Sequence, residues 1–247
     1  MDIDDVALVL VGALVMTMPL FALASRGRPD DAEVARRPAS VLLGRWVRNW
    51  LMWVIAPAER AFVRARVTPD VFNYLGAGFG VLAGFFFGRG LLPIAGWMVL
   101  LGGAMDIFDG RVARAQGIAS PRGAFLDSTL DRFAETFTFI GLAWHFSGRP
   151  WASFAVALAL GGSMLVSYAR ARGEGLGVQF KGGVMQRAER LVLLAVASLV
   201  DNRVAGWAGW PPGTLLAIAI GVMGVGSLGT AIYRTWWIAG ELGKRRS

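Results

Sequence analysis

A polytopic all-α membrane protein is the fold class this sequence predicts, and three observations lead there. Hydrophobic residues make up 55% of the 247 positions and charged ones only 17%, with a mean hydropathy of +0.52, a balance foreign to soluble domains of this length. Apolar segments of about spanning length recur along the whole chain, and nowhere does the pattern alternate as a strand would. The arginines gather in alternate loops. The chain has no Cys, which excludes disulfides and thiolate metal sites, and its one histidine, His145, lies among interfacial aromatics where it reads as an interface residue. The formal net charge of +8 would suggest nucleic acid in a soluble protein; in this setting it points to anionic headgroups and phosphorylated substrates, with no nucleic-acid partner.

Taken in order, residues 6–24 form a first apolar segment of spanning length. The acidic MDIDD before it lacks the basic start of a secretory signal, so an uncleaved anchor is expected. Residues 25–40 read as a polar linker of mixed charge. From 41 to 66 the pattern turns amphipathic: Trp46, Trp50 and Trp53 recur at helical spacing with Leu43, Val47 and Leu51, while Arg45, Arg48, Arg60 and Arg64 supply positive charge. That combination predicts a helix lying in the membrane interface, broken or bent at Pro57. Six apolar segments follow at 70–88, 92–114, 123–146, 150–170, 187–201 and 212–237. In the first of these Gly76, Gly80, Gly84 and Gly88 stand four apart, a small-residue face suited to close helix packing in lipid.

Residues 26–66, 111–122, 170–190 and 244–246 hold most of the basic residues and would share one side, leaving Arg89, Arg149 and Arg203 on the other. The positive-inside rule makes the rich side cytoplasmic. Seven spans then place the amino terminus outside and the carboxyl terminus inside.

One stretch does not fit a purely apolar bundle. Residues 106–131 read DIFDGRVARAQGIASPRGAFLDSTLD, with Asp106, Asp109, Asp127 and Asp131 set in an otherwise hydrophobic neighbourhood. On helices Asp106 and Asp109 share a face, as do Asp127 and Asp131, and the turn between carries the breakers Gly117, Pro121 and Gly123. Two helices packed side by side across that turn would bring four carboxylates together, which requires divalent cations among them. Oxygen-only ligands suit Mg²⁺, Mn²⁺ or Ca²⁺. Charges that merely face water at helix ends would account for one or two of the acids and for Arg111, Arg114 and Arg122, but not for four at helical spacing with Gly110, Ala113 and Gly123 between them.

The pattern Asp106-x2-Asp109-Gly110-x2-Ala113-Arg114-x8-Gly123-x3-Asp127-x3-Asp131 resembles the full signature of the CDP-alcohol phosphatidyltransferase family, with every fixed position filled. The resemblance implies a six-helix catalytic membrane domain over 67–247, an interfacial helix over 41–66, and an accessory helix and linker over 1–40 that the family does not share. It implies transfer of a phosphatidyl group from CDP-diacylglycerol or a related CDP-lipid to a hydroxyl, with CMP leaving. By the same resemblance Asp106, Asp109 and Asp127 are metal ligands for Mg²⁺ or Mn²⁺. Asp131 is the candidate general base, with its own metal contact left open. Asp109, Gly110, Ala113, Arg114, Gly123 and Asp127 line the CDP site. The resemblance further implies a homodimer, and an active site on the cytoplasmic side of the cell membrane.

A second cationic cluster, Arg170, Arg172, Lys181, Arg187 and Arg190, lies in residues 167–190. A positive-inside loop explains part of it equally well. Arg187 and Arg190, three apart at the start of an apolar helix, also suit a phosphate-binding pair. The stretch resembles that of the family members that use inositol phosphate, departing at Gly173 and Gln186. The expected acceptor is therefore a phosphorylated polyol, held by Arg170, Lys181, Arg187 and Arg190. Glycerol phosphate or serine as acceptor, and a cation-binding membrane transporter, are the alternatives.

Overall fold

A computed structural model describes residues 3–27, 29–36, 44–180 and 182–245. Among them are nine helices and no strand: α1 (Ile3–Ala24), α2 (Ala32–Arg36), α3 (Arg45–Arg64), α4 (Pro69–Gly88), α5 (Leu92–Ala115), α6 (Pro121–His145), α7 (Pro150–Gly175), α8 (Arg187–Ala208) and α9 (Thr214–Lys244). The chain is thus an all-helical, multi-pass membrane protein.

Helix boundaries follow local chemistry. Proline opens α4, α5, α6 and α7, where its missing N–H costs nothing. Ser120 caps α6 by accepting from the Gly123 N–H at 3.1 Å, and Gly209 ends α8 in the left-handed region at φ 68°.

Of the two outcomes expected at Pro57, a break does not occur: α3 runs through it. Within the linker Ala32–Arg36 forms a helical turn held near α3, where Asn49 donates to Asp30 at 2.8 Å and accepts from the Asp31 N–H at 2.9 Å. Finally, α7, α8 and α9 outrun their apolar segments, since polar residues such as Arg172, Asn202 and Lys244 continue the helices beyond the hydrophobic pattern.

Helices α1, α4, α5, α7, α8 and α9 are long and apolar enough to cross a membrane. The remaining member of the expected six, α6, has the length, at 25 residues, but carries Arg122, Asp127, Asp131, Arg132 and Glu135. It lies parallel to α4, glycine against backbone: a Cβ added to Gly80 would sit 2.4 Å from the Ala134 Cβ, and one added to Gly84 would sit 2.2 Å from the Phe137 carbonyl oxygen. The four-residue glycine spacing therefore does what it predicts. Helices α7 and α9 make a second close pair, with Gly162 against Ser227, and α8 packs on α5 near Gly96. The core these pairs enclose includes Phe87, Leu92, Leu142, Phe146, Leu216 and Met223.

The amino-terminal helix docks outside this bundle. Asn202 donates to Asp4 at 2.9 Å and Arg203 pairs with Asp5 at one end of α1. Near the other end, Trp50 of α3 donates to the Thr17 hydroxyl at 2.8 Å and Phe21 packs on Trp46 and Trp53.

Candidate active site

The four aspartates gather by a different route from the side-by-side packing expected. Helices α5 and α6 each pack on α4 rather than on one another, and their acids meet where the two helices approach the turn that joins them. Oxygens of Asp106, Asp109 and Asp127 all lie within 4.8 Å of one another. Asp131 stands outside that trio, one turn further along α6.

Asp109 is the deepest of the three, 6% exposed. The Gly110 N–H donates to its Oδ1, while its Oδ2 is buried without a hydrogen-bond partner. A buried, unsatisfied carboxylate oxygen facing two further carboxylates is costly by itself and fits a divalent cation held through oxygen. The donor set is right for such an ion, and the trio is where it would sit.

Arginines approach from α8. Arg187 Nη2 donates to Asp131 Oδ1 at 2.5 Å, and its Nε lies 3.7 Å from Asp106 Oδ2. Arg190 is 3% exposed along its side chain and donates from Nε to Glu135 Oε1 at 3.0 Å. Both arginines, the four aspartates and Glu135 line one cavity, part of whose wall is apolar, with Val99, Phe139, Leu194 and Met223. Anionic and cationic groups facing a common cavity suit a ligand that carries phosphate and needs a metal ion to neutralise it.

The other singled-out residues fall as follows. Gly110 and Ala113 lie on α5 beside the acids, and the Arg114 guanidinium lies over Gly110, with Nη1 3.0 Å from where a Cβ would stand. Gly123 is in the first turn of α6. Arg170 is half-exposed and bonded to Glu174 at 2.9 Å. Lys181 lies outside the described residues.

Two charged residues of the site escaped the sequence reading: Glu135 and Arg132, paired at 2.6 Å. The signal was present, because Asp127, Asp131 and Glu135 stand four apart and so share one face of α6.

Residues 66–238 match the family described as CDP-alcohol phosphatidyltransferase. The phosphatidylinositol phosphate synthase of Streptomyces avermitilis is 36% identical over 224 residues, covering 86% of this chain and 87% of that protein. Among solved structures, Mycobacterium tuberculosis phosphatidylinositol phosphate synthase with CDP-DAG bound aligns with a TM-score of 0.63 at 30% identity, over 74% of this chain and 92% of that one. The same enzyme in complex with manganese and citrate gives a TM-score of 0.64 at 29% identity, over 74% and 87%. With that coverage and identity, and with the acid signature folded into one cavity, the chain belongs to the CDP-alcohol phosphatidyltransferase family.

Proposed function

We propose that this membrane phosphatidyltransferase transfers the phosphatidyl group of CDP-diacylglycerol, or a closely related CDP-lipid, to inositol phosphate with release of CMP. The observation that carries the reading is the pairing, in one cavity, of a carboxylate trio holding an unsatisfied Asp109 oxygen with the guanidinium pair Arg187 and Arg190. The relatives named above are phosphatidylinositol phosphate synthases, one of them captured with CDP-DAG, and they support both halves of the substrate assignment.

In this reading Asp106, Asp109 and Asp127 hold Mg²⁺ or Mn²⁺. The ion would neutralise the pyrophosphate and stabilise the departing CMP. Gly110, Ala113 and Gly123 let the nucleotide approach the α5 and α6 backbones, and Arg114 faces its phosphates. Asp131 takes the proton from the attacking hydroxyl, and Arg187, which now spans Asp131 and Asp106, turns toward the phosphate of the incoming acceptor. Arg190, Lys181 and Arg170 are the further cations assigned to the acceptor phosphate in this reading.

Residues 67–247 are the catalytic domain in this proposal, with 41–66 interfacial and 1–40 accessory, and the protein assembles as a homodimer. The active site faces the cytoplasm at the cell membrane. A cysteine introduced at Ile118 should then resist impermeant reagents added to intact cells while one at Ser147 reacts; the reverse pattern inverts the topology.

The deciding assay offers CDP-diacylglycerol with inositol phosphate, glycerol phosphate, inositol and serine in parallel, with and without Mg²⁺ or Mn²⁺, and identifies the lipid product. Metal-dependent turnover with inositol phosphate is expected. Turnover with serine or free inositol but no phosphorylated acceptor would reduce the arginines to an ordinary positive-inside cluster.

A further inference from the structure

Glu135 is the least expected group in the cavity: a carboxylate in the middle of a helix that packs within the bundle, its side chain 13% exposed and absent from the acid signature. Its two oxygens are divided between two arginines. Oε1 takes both Nε and Nη2 of Arg190 at 3.0 Å, and Oε2 accepts from Arg132 Nη1 at 2.6 Å. The same Arg132 nitrogen donates to the Ser167 hydroxyl on α7 at 2.6 Å. One carboxylate therefore joins α6, α7 and α8 around the end of the cavity that holds Arg187 and Arg190.

The consequence for Arg190 is directional. Glu135 engages the Nε–Nη2 edge of the guanidinium completely, leaving Nη1 with only a 3.4 Å contact to the Met185 carbonyl oxygen. A guanidinium has a rigid planar fork, so fixing one edge fixes where the remaining donors point. Without Glu135, a buried Arg190 would be left with an uncompensated charge and would swing toward another carboxylate in reach. Asp131 and Asp106 line the same cavity.

We infer that Glu135 is a positioning residue for the acceptor: it holds Arg190 so that its outer donors meet the acceptor phosphate, and it keeps Arg190 away from the catalytic aspartates. This rests on the reading that Arg187 and Arg190 bind that phosphate. Charge alone predicts the opposite effect, because removing a carboxylate makes the pocket more positive and should tighten binding of an anion. The two accounts differ in sign.

The test is Glu135→Gln in the full-length enzyme in detergent or nanodiscs. Gln keeps the shape, but its amide NH₂ would face one of the two arginines donor to donor. The expected result is a rise of roughly tenfold in KM for inositol phosphate, equivalent to the loss of one charge-assisted hydrogen bond. KM for CDP-diacylglycerol and the affinity for Mn²⁺, read by electron paramagnetic resonance without turnover, should stay unchanged. In Arg190→Ala the acceptor KM should rise too, and adding Glu135→Gln to it should change little, because the carboxylate acts through the arginine.

An unchanged or lowered acceptor KM in Glu135→Gln overturns the inference, as does a full additive effect in the double variant. An unchanged acceptor KM in Arg190→Ala instead overturns the underlying acceptor assignment, so the two failures are separable. Should Glu135→Gln fail to fold, Glu135→Asp keeps the charge but draws it back by one methylene. It should raise the acceptor KM severalfold, and no rise would sink the inference equally.

Discussion

Asp109 and Asp201 are both buried carboxylates on helices of the same bundle, near its opposite ends, and their oxygens are treated differently. Asp201, fully buried on α8, accepts from the Gly213 N–H at 2.5 Å with one oxygen and from the Leu216 N–H at 2.8 Å with the other. Those are amides at the start of α9 that have no partner within their own helix, and the negative charge meets the positive end of the helix dipole. Asp201 is thus a joint between α8 and α9 with nothing left over. Asp109 receives only the adjacent Gly110 N–H and keeps its second oxygen bare beside Asp106 and Asp127. Burial alone does not separate a structural acid from a chemical one in such a bundle; saturation by backbone donors does.

The largest expected effect breaks the comparison at its reactive end. Asp109→Asn preserves volume but removes the charge, and should lower kcat by about a thousandfold or more, consistent with losing several kcal/mol of metal-derived stabilisation. Mn²⁺ binding should weaken in parallel while thermal unfolding in detergent hardly changes. A fully active Asp109→Asn enzyme would end the metal-site assignment.

Arg187→Ala comes next. It frees Asp131 from its ion pair and removes a donor to the acceptor phosphate, so KM for inositol phosphate should rise roughly tenfold to a hundredfold. KM for CDP-diacylglycerol should hold steady. If both constants rise together, Arg187 serves the nucleotide lipid or the fold and not the acceptor.

At the other end, Asp201→Asn should cost about 1–3 kcal/mol of stability, because an amide can accept on one oxygen only and leaves a buried backbone N–H without its acceptor. Activity per folded molecule and Mn²⁺ affinity should match the wild type. A selective loss of catalysis without loss of stability would show that the two aspartates do not divide as saturation implies.

How much of this was legible in the sequence follows from the same contrast. The acid signature could be read because it is local, with four aspartates and their small neighbours all inside 26 residues, 106–131. The glycines of α4 were legible because close packing requires a fixed four-residue period. Glu135 lay on the same period as Asp127 and Asp131, yet its significance depends on Arg190, 55 positions away. Asp201 depends on amides 12 and 15 positions further on, beyond the turn at Gly209. The reading also put α5 and α6 side by side because they are consecutive. The structure sets each against α4, whose glycine face accepts α6 more closely than the α5 surface does. Ranges faded where helices leave the apolar core, since hydrophobicity marks what lipid covers and not where backbone hydrogen bonds stop.

The smallest expected effect lies two residues from Asp201. Arg203 pairs with Asp5 of α1, but its side chain is 51% exposed and that of Asp5 is 40% exposed. Exposed pairs lose in side-chain entropy and solvent screening most of what they gain by attraction, and typically contribute about 0–1 kcal/mol. The docking of α1 has other supports, the Thr17–Trp50 hydrogen bond and the packing of Phe21 on Trp46 and Trp53, which do not involve this pair. Arg203→Ala should therefore shift stability by less than about 0.5 kcal/mol, leave turnover untouched, and make any residual effect disappear in high salt. Thermal unfolding of Asp201→Asn and Arg203→Ala side by side, at low and high ionic strength, measures the difference directly. If Arg203→Ala proved as damaging as Asp201→Asn, the docking of α1 would hang on its outer end, and exposure would be a poor guide to which charges hold this bundle together.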